Sequence, residues 1–139
     1  MQSTGYSGTP LAKKLGIKEG FIMRLIYEPS NYFTLFTDMP QDVNFTNDKK
    51  ILKNCIHYFT KELKDLDKEM SGLRNEILPD GMIWISWPKK SSKLKTNITE
   101  NDIRNIALAN GLVDIKVCAI DETWSGLKLV IPLKDRKNK

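Results

Sequence analysis

The chain has 139 residues, 40% of them hydrophobic and 28% charged, a balance that suits a globular domain with a core of its own. The net charge of +5 is concentrated: the tail KDRKNK holds four bases and one acid, and KKSSKLK holds four lysines and no acid. These two stretches total +7, so the remainder is slightly acidic, which excludes a surface uniformly built for nucleic acid.

No apolar run approaches the roughly 18 residues of a membrane span. The start, MQSTGYSGTPLAKKLG, lacks the apolar centre of a signal peptide, so a cytoplasmic protein without membrane association is expected.

In chain order, GTPLAKKLG reads as a short helix with Thr9 as cap, Pro10 at its first position and Gly16 as its stop. FIMRLIY, residues 21–27, reads as a strand bounded by Gly20 and Pro29. A short helix is expected through residues 31–36, closed by Pro40, then a short strand at 43–46 and a better one, ILKNCIHYF, at 51–59. Leu63, Leu66, Met70, Leu73 and Ile77 recur at steps of three and four, which predicts an amphipathic helix over 61–78. Pro79-Asp80-Gly81 reads as the turn after it.

GMIWISW, residues 81–87, is apolar on both alternating faces, as in a central strand covered on both sides. Thr99-Glu100-Asn101-Asp102 resembles a capping box that opens a helix ending near Asn110. Two strands follow, at 113–121 and 126–133, too close together for a parallel crossover and therefore antiparallel.

The alternation predicts an α/β three-layer, Rossmann-like sandwich with a mainly parallel sheet of five or six strands and an antiparallel C-terminal strand. Residues 1–133 are expected to form one domain and 134–139 a basic tail. The core is expected to include Leu25, Ile56, Leu66, Met70, Leu73, Ile83, Trp84, Ile85, Ile106, Val117 and Leu129. Cys55 and Cys118 lie in apolar stretches and read as reduced, buried thiols. With His57 as the single histidine, they are too few for a structural Cys/His metal site, and no metal is expected.

KLGIKEGFIMRLI, LPDGMIWISWP, ENDIRNIALANGLVDIKVCAID and SGLKLVI together resemble the class I, Rossmann-like methyltransferases. That resemblance implies a strand order 2-1-3-4-6-5. In those enzymes an acidic residue and a Gly-rich loop follow the first strand. Here that place reads Tyr27-Glu28-Pro29-Ser30-Asn31-Tyr32, without glycine and with Glu28 as the acidic residue. S-adenosylmethionine is therefore not an expected ligand. GYSGTPLAKKLGIKEG, IHYFTK, PDGMIWISWPKKSSK and VDIKVCAIDETWSGLKLVI are more specifically similar to a bacterial family catalogued as a domain of unknown function. It implies a compact domain in a bacterial cytoplasm and carries no catalytic residues over.

Ligands of open α/β sheets bind outside the carboxyl ends of the strands. Trp87, Lys89 and Lys90 should lie on that rim, where an indole can stack on a flat ring and lysines can meet an anion. Asp121, Glu122 and Trp124 should join them from the end of another strand, and His57 to Lys61 from a third. Against this, Trp84 and Trp87 can equally fill the core, His57 can be a satisfied buried histidine, and Asp121 can serve only its turn.

Three functions stay open: a non-catalytic Rossmann-like module for a small ligand or partner protein, a divergent group-transfer enzyme resembling a methyltransferase, and a weak nucleic-acid binder through the lysines. The first is favoured, and nucleic acid is not expected as the principal partner.

Overall fold

The computed structural model describes residues 8–136. Helix α1 (Leu11–Leu15) leads into strand β1 (Ile22–Ile26), a 3-10 turn (Tyr32–Leu35), β2 (Asn44–Phe45), β3 (Lys53–Phe59), α2 (Leu63–Arg74), β4 (Ile77–Pro88), α3 (Glu100–Ala109), β5 (Val113–Ala119), β6 (Trp124–Val130) and a last 3-10 turn (Leu133–Asp135). The strands form one six-stranded sheet in the order β2-β1-β3-β4-β6-β5. β2, β1, β3 and β4 are parallel, and β6 runs antiparallel to both β4 and β5. This is the Rossmann-like architecture and strand order expected from the sequence. No helix among the described residues is long and apolar enough to cross a membrane.

Each face of the sheet carries its own core. Ile56, Tyr58, Ile83, Ile85 and Trp87 meet Leu66, Met70 and Leu73 of α2 and Ile103 and Ala107 of α3. On the opposite face Met23, Cys55, Phe59, Met82 and Trp84 meet Leu11 and Leu15 of α1 and Tyr32 of the first 3-10 turn. β4 supplies both clusters alternately, so the double-sided pattern of GMIWISW is that of a strand between two layers. The Trp84 indole donates to the Leu15 carbonyl at 2.9 Å, which ties α1 to the sheet centre. α3 opens on the expected capping box, with Thr99 and Asp102 bonding each other's backbone N–H.

Four expectations are corrected. The helix over 61–78 ends at Arg74, and Ile77 already pairs with Lys53 as the start of β4. Pro79-Asp80-Gly81 is therefore not a turn but a bulge within β4, between the pairs Lys53↔Ile77 and Cys55↔Met82. Pro79 and Asp80 face solvent there, where the missing proline N–H leaves no ladder bond unmade. Val117 is 47% exposed rather than in the core, and it lies on β5, an edge strand of the sheet. Cys118, on the same strand, is half-buried, whereas Cys55 is fully buried, and both thiols are free. Of the basic tail, residues 137–139 lie outside the described residues, and the Arg136 guanidinium donates to the Ile131 carbonyl at 2.7 Å.

Candidate functional site at the carboxyl edge of the sheet

From β1 the chain moves outward to β2, then returns past β1 to β3 and on to β4. The connections leaving β1 and β3 therefore diverge, and a crevice opens between the carboxyl ends of those two strands. A hollow of about 360 Å³ occupies that place, lined by Tyr27, Phe59, Thr60, Lys61, Glu62, Asp65 and Trp124. β1 delivers Tyr27, β3 delivers Phe59 and Thr60, and the start of α2 delivers Asp65. Trp124 enters from the first residue of β6 and meets Phe59 edge-on at 5.0 Å. A second hollow, of about 280 Å³, lies between the ends of β1 and β2, lined by Leu25, Glu28, Phe33, Phe45, Thr46 and Asn47.

Tyr27, between the two, is the one non-glycine residue with positive φ (57°) among those described. It holds the left-handed conformation that glycine favours, at the position where the Gly-rich loop of the resembled enzymes begins. Its ring is exposed and stands edge-on to Tyr58 at 5.5 Å, and its hydroxyl donates to Glu69 at 3.2 Å. The Glu69 carboxylate raises the Tyr27 hydroxyl above its ordinary pKa, with Asp65 adding to the effect. Beneath it the Tyr58 hydroxyl is buried without a hydrogen-bond partner and is raised by that burial. The carboxyl edge around β1 and β3 thus combines aromatic faces with the carboxylates Glu62, Asp65 and Glu69, against a single lysine, Lys61.

Behind the hollow, His57 is fully buried. Its Nδ1 lies 3.0 Å from the Tyr32 hydroxyl and its Nε2 2.8 Å from Ser86 Oγ. Burial lowers its pKa to about 3, so the ring is neutral, satisfied and inside the core rather than open to a ligand. The sequence reading missed a different group, an ion cluster on β1 and β3. Glu76 accepts from Arg24 at 2.7 Å and from the fully buried Lys53 at 2.8 Å. The signal was available, since a charged residue inside each of the apolar runs FIMRLIY and ILKNCIHYF needs a partner.

The six residues expected on the rim are distributed over separate environments. Trp124 alone lines the hollow between β1 and β3. Trp87 is buried in the core under α2 and α3. Lys89 and Lys90 line a different hollow with residues 92–99. Asp121 accepts from the N–H groups of Thr123 and Trp124, both at 2.8 Å, and borders a hollow beside α1. Glu122 is exposed in the same turn. Tyr27, Glu62 and Asp65 were not singled out, because only the fold turns the start of α2 towards the end of β1. Among the described residues no three His, Cys, Asp or Glu side chains gather as metal ligands.

Solved structures of similar fold include methyltransferases. A putative methyltransferase from Thermoplasma acidophilum is 8% identical, with a TM-score of 0.57 over 84% of this chain and 70% of that one. The ribosomal protein L11 methylase from Lactobacillus delbrueckii subsp. bulgaricus is 10% identical, with a TM-score of 0.58 over 86% and 74%. Magnesium protoporphyrin IX methyltransferase from Synechocystis PCC 6803, with bound SAM, is 10% identical, with a TM-score of 0.55 over 88% and 74%.

The expectation that set S-adenosylmethionine aside is corrected by these structures, since neighbours of this fold hold that cofactor or S-adenosylhomocysteine. The absence of glycine after β1 was the ground for that expectation, and Tyr27 takes the left-handed backbone without one. Comparison with curated proteins gives no match. A family model does match, over residues 12–133, and the chain belongs to the family described as "Protein of unknown function (DUF3052)".

Proposed function

We propose that this protein is a Rossmann-like module that binds a small cationic ligand in the crevice between β1 and β3, and that S-adenosylmethionine is the first ligand of that kind to fit. The observation that carries this is the position of the aromatic and acidic hollow at the divergence of the β1 and β3 connections, where open α/β sheets take their ligands. Tyr27 offers an exposed ring, Phe59 and Trp124 form a buried apolar floor, and Glu62 and Asp65 offer negative charge. Aromatic faces attract a desolvated cation, and carboxylates add Coulomb attraction. A sulfonium is such a cation. The neighbouring hollow of Leu25, Phe33 and Phe45, with Thr46 and Asn47 at its edge, gives a flat ring system both apolar surface and polar partners.

Isothermal titration with S-adenosylmethionine and with S-adenosylhomocysteine tests the reading, because the second lacks the sulfonium charge. The sulfonium form should bind more tightly. Glu62→Gln with Asp65→Asn, both at exposed positions, should weaken it by about tenfold and leave the uncharged form little changed. No heat with either ligand, or equal affinity for both, would refute the cation-binding assignment.

A further inference from the structure

The loop between β4 and α3 carries Lys89, Lys90, Lys93 and Lys95 within seven residues, with no acid among them. Three bases elsewhere are neutralised by acids: Arg24 and Lys53 share Glu76, and Arg104 bridges Glu100 and Asp114. Among the described residues these four lysines have no ion-pair partner, and Glu100, the nearest acid in sequence, is engaged by Arg104.

The loop is not a free tether. Lys89 N–H donates to the Thr123 carbonyl at 2.8 Å, Ser92 bonds the Lys89 carbonyl through both its N–H and its hydroxyl, and Thr96 Oγ1 donates to the Lys61 carbonyl at 3.1 Å. The two outer anchors, Thr123 and Lys61, adjoin Trp124 and Thr60 of the crevice between β1 and β3. The loop borders an open hollow of about 560 Å³, lined by its lysines, Ser92, Leu94 and Thr96 to Thr99. The basic loop is thus tied at both of these anchors to chain that adjoins the acidic and aromatic crevice.

We infer that residues 89–99 form a second binding site, for a small polyphosphate-bearing molecule held beside the crevice. The hydroxyls of Ser92, Thr96 and Thr99 are already bonded within the fold, so recognition falls to the ammonium groups. Lysines act as mobile point charges, which suit a multivalent phosphate chain better than a single planar carboxylate. A single-stranded nucleic acid needs exposed rings for its bases, and the loop offers none, since Trp87 is buried beneath it. The inference rests on the charge and anchoring of this loop, and holds whether or not the crevice takes a sulfonium.

The test is titration calorimetry with inorganic tripolyphosphate at about 50 mM salt, repeated at about 300 mM, where screening shortens the reach of the lysines. Tripolyphosphate should bind the unaltered protein, more weakly at the higher salt. Lys90→Glu with Lys93→Glu, both exposed, should weaken it by about tenfold or more, while Glu62→Gln with Asp65→Asn should not weaken it. An unchanged thermal melt shows that the double lysine variant is folded. Absence of binding at low salt, or binding insensitive to the lysine changes, would overturn the site. Citrate binding as tightly as tripolyphosphate would overturn the phosphate class. Binding of a single-stranded oligonucleotide in preference to tripolyphosphate would overturn it in favour of nucleic acid.

Discussion

Two buried polar residues on β3 place opposite demands on the protein. Lys53 is fully buried and charged, held by Glu76 at 2.8 Å and by the Asp48 carbonyl at 2.6 Å. Glu76 also serves Arg24, so its removal strands two cations at once. Glu76→Gln should therefore cost about 3–5 kcal/mol in urea denaturation, as expected for a broken buried pair. Arg104→Ala, at a more exposed pair of bridges, should lower the urea midpoint far less. A Glu76 variant as stable as the parent would show that the cluster is not a structural tie.

His57 is buried neutral, with its pKa lowered to about 3 from an ordinary 6.5. Below pH 6.5 the unfolded chain gains a proton that the folded chain refuses. Stability should fall by about 1 kcal/mol per pH unit as the pH drops from there towards 3. His57→Gln should flatten that part of the pH profile in denaturant titrations between pH 7 and pH 5. A profile of the same slope in both proteins would assign the acid sensitivity to other groups.

At the scale of elements, the sequence was most legible where a period or a cap repeats a local rule. Leu66, Met70 and Leu73 mark α2, Thr99 and Asp102 mark the start of α3, and the doubly apolar GMIWISW marks the sheet centre. It was least legible between α2 and β4. Proline, aspartate and glycine in succession signal a turn, but pairing with β3 begins before them, at Ile77.

That bulge is what glycine makes possible at position 81. A β-carbon there would lie 2.9 Å from the Lys53 carbonyl oxygen and 3.0 Å from Ile77 Cβ. Both neighbours are fixed, one by the backbone of β3 and the other at a buried site of β4. Gly81→Ala should therefore destabilise the fold by about 1–3 kcal/mol, read as a lower urea midpoint at an unchanged slope. A neutral substitution would mean that the bulge has room to shift.

For the whole molecule, strand order decides what sequence order cannot. Each candidate rim residue was legible as the end of a strand, since strand ends follow from local composition. Which ends share a hollow follows from the path β1 to β2 and back to β3, a property of the tertiary arrangement. For that reason Trp124 reaches the crevice while Lys89 and Lys90 face another hollow.

The same order grades stability across the sheet. β3 and β4 each have neighbours on both sides and helices or turns over both faces, whereas β5 is an edge. The two cysteines report on this gradient. Cys55 lies on β3, fully buried, its thiol pushed up to about 12 by burial, so it should react with a thiol reagent only when the sheet opens globally. Cys118 lies half-buried on β5 and should react through local opening of the edge. With a disulfide-exchange reagent in the absence of denaturant, Cys118 should label first. The Cys55 rate should rise with urea in step with global unfolding, while the Cys118 rate rises less steeply. Equal rates for the two thiols in water would contradict this order and would mean that β3 opens as readily as the edge.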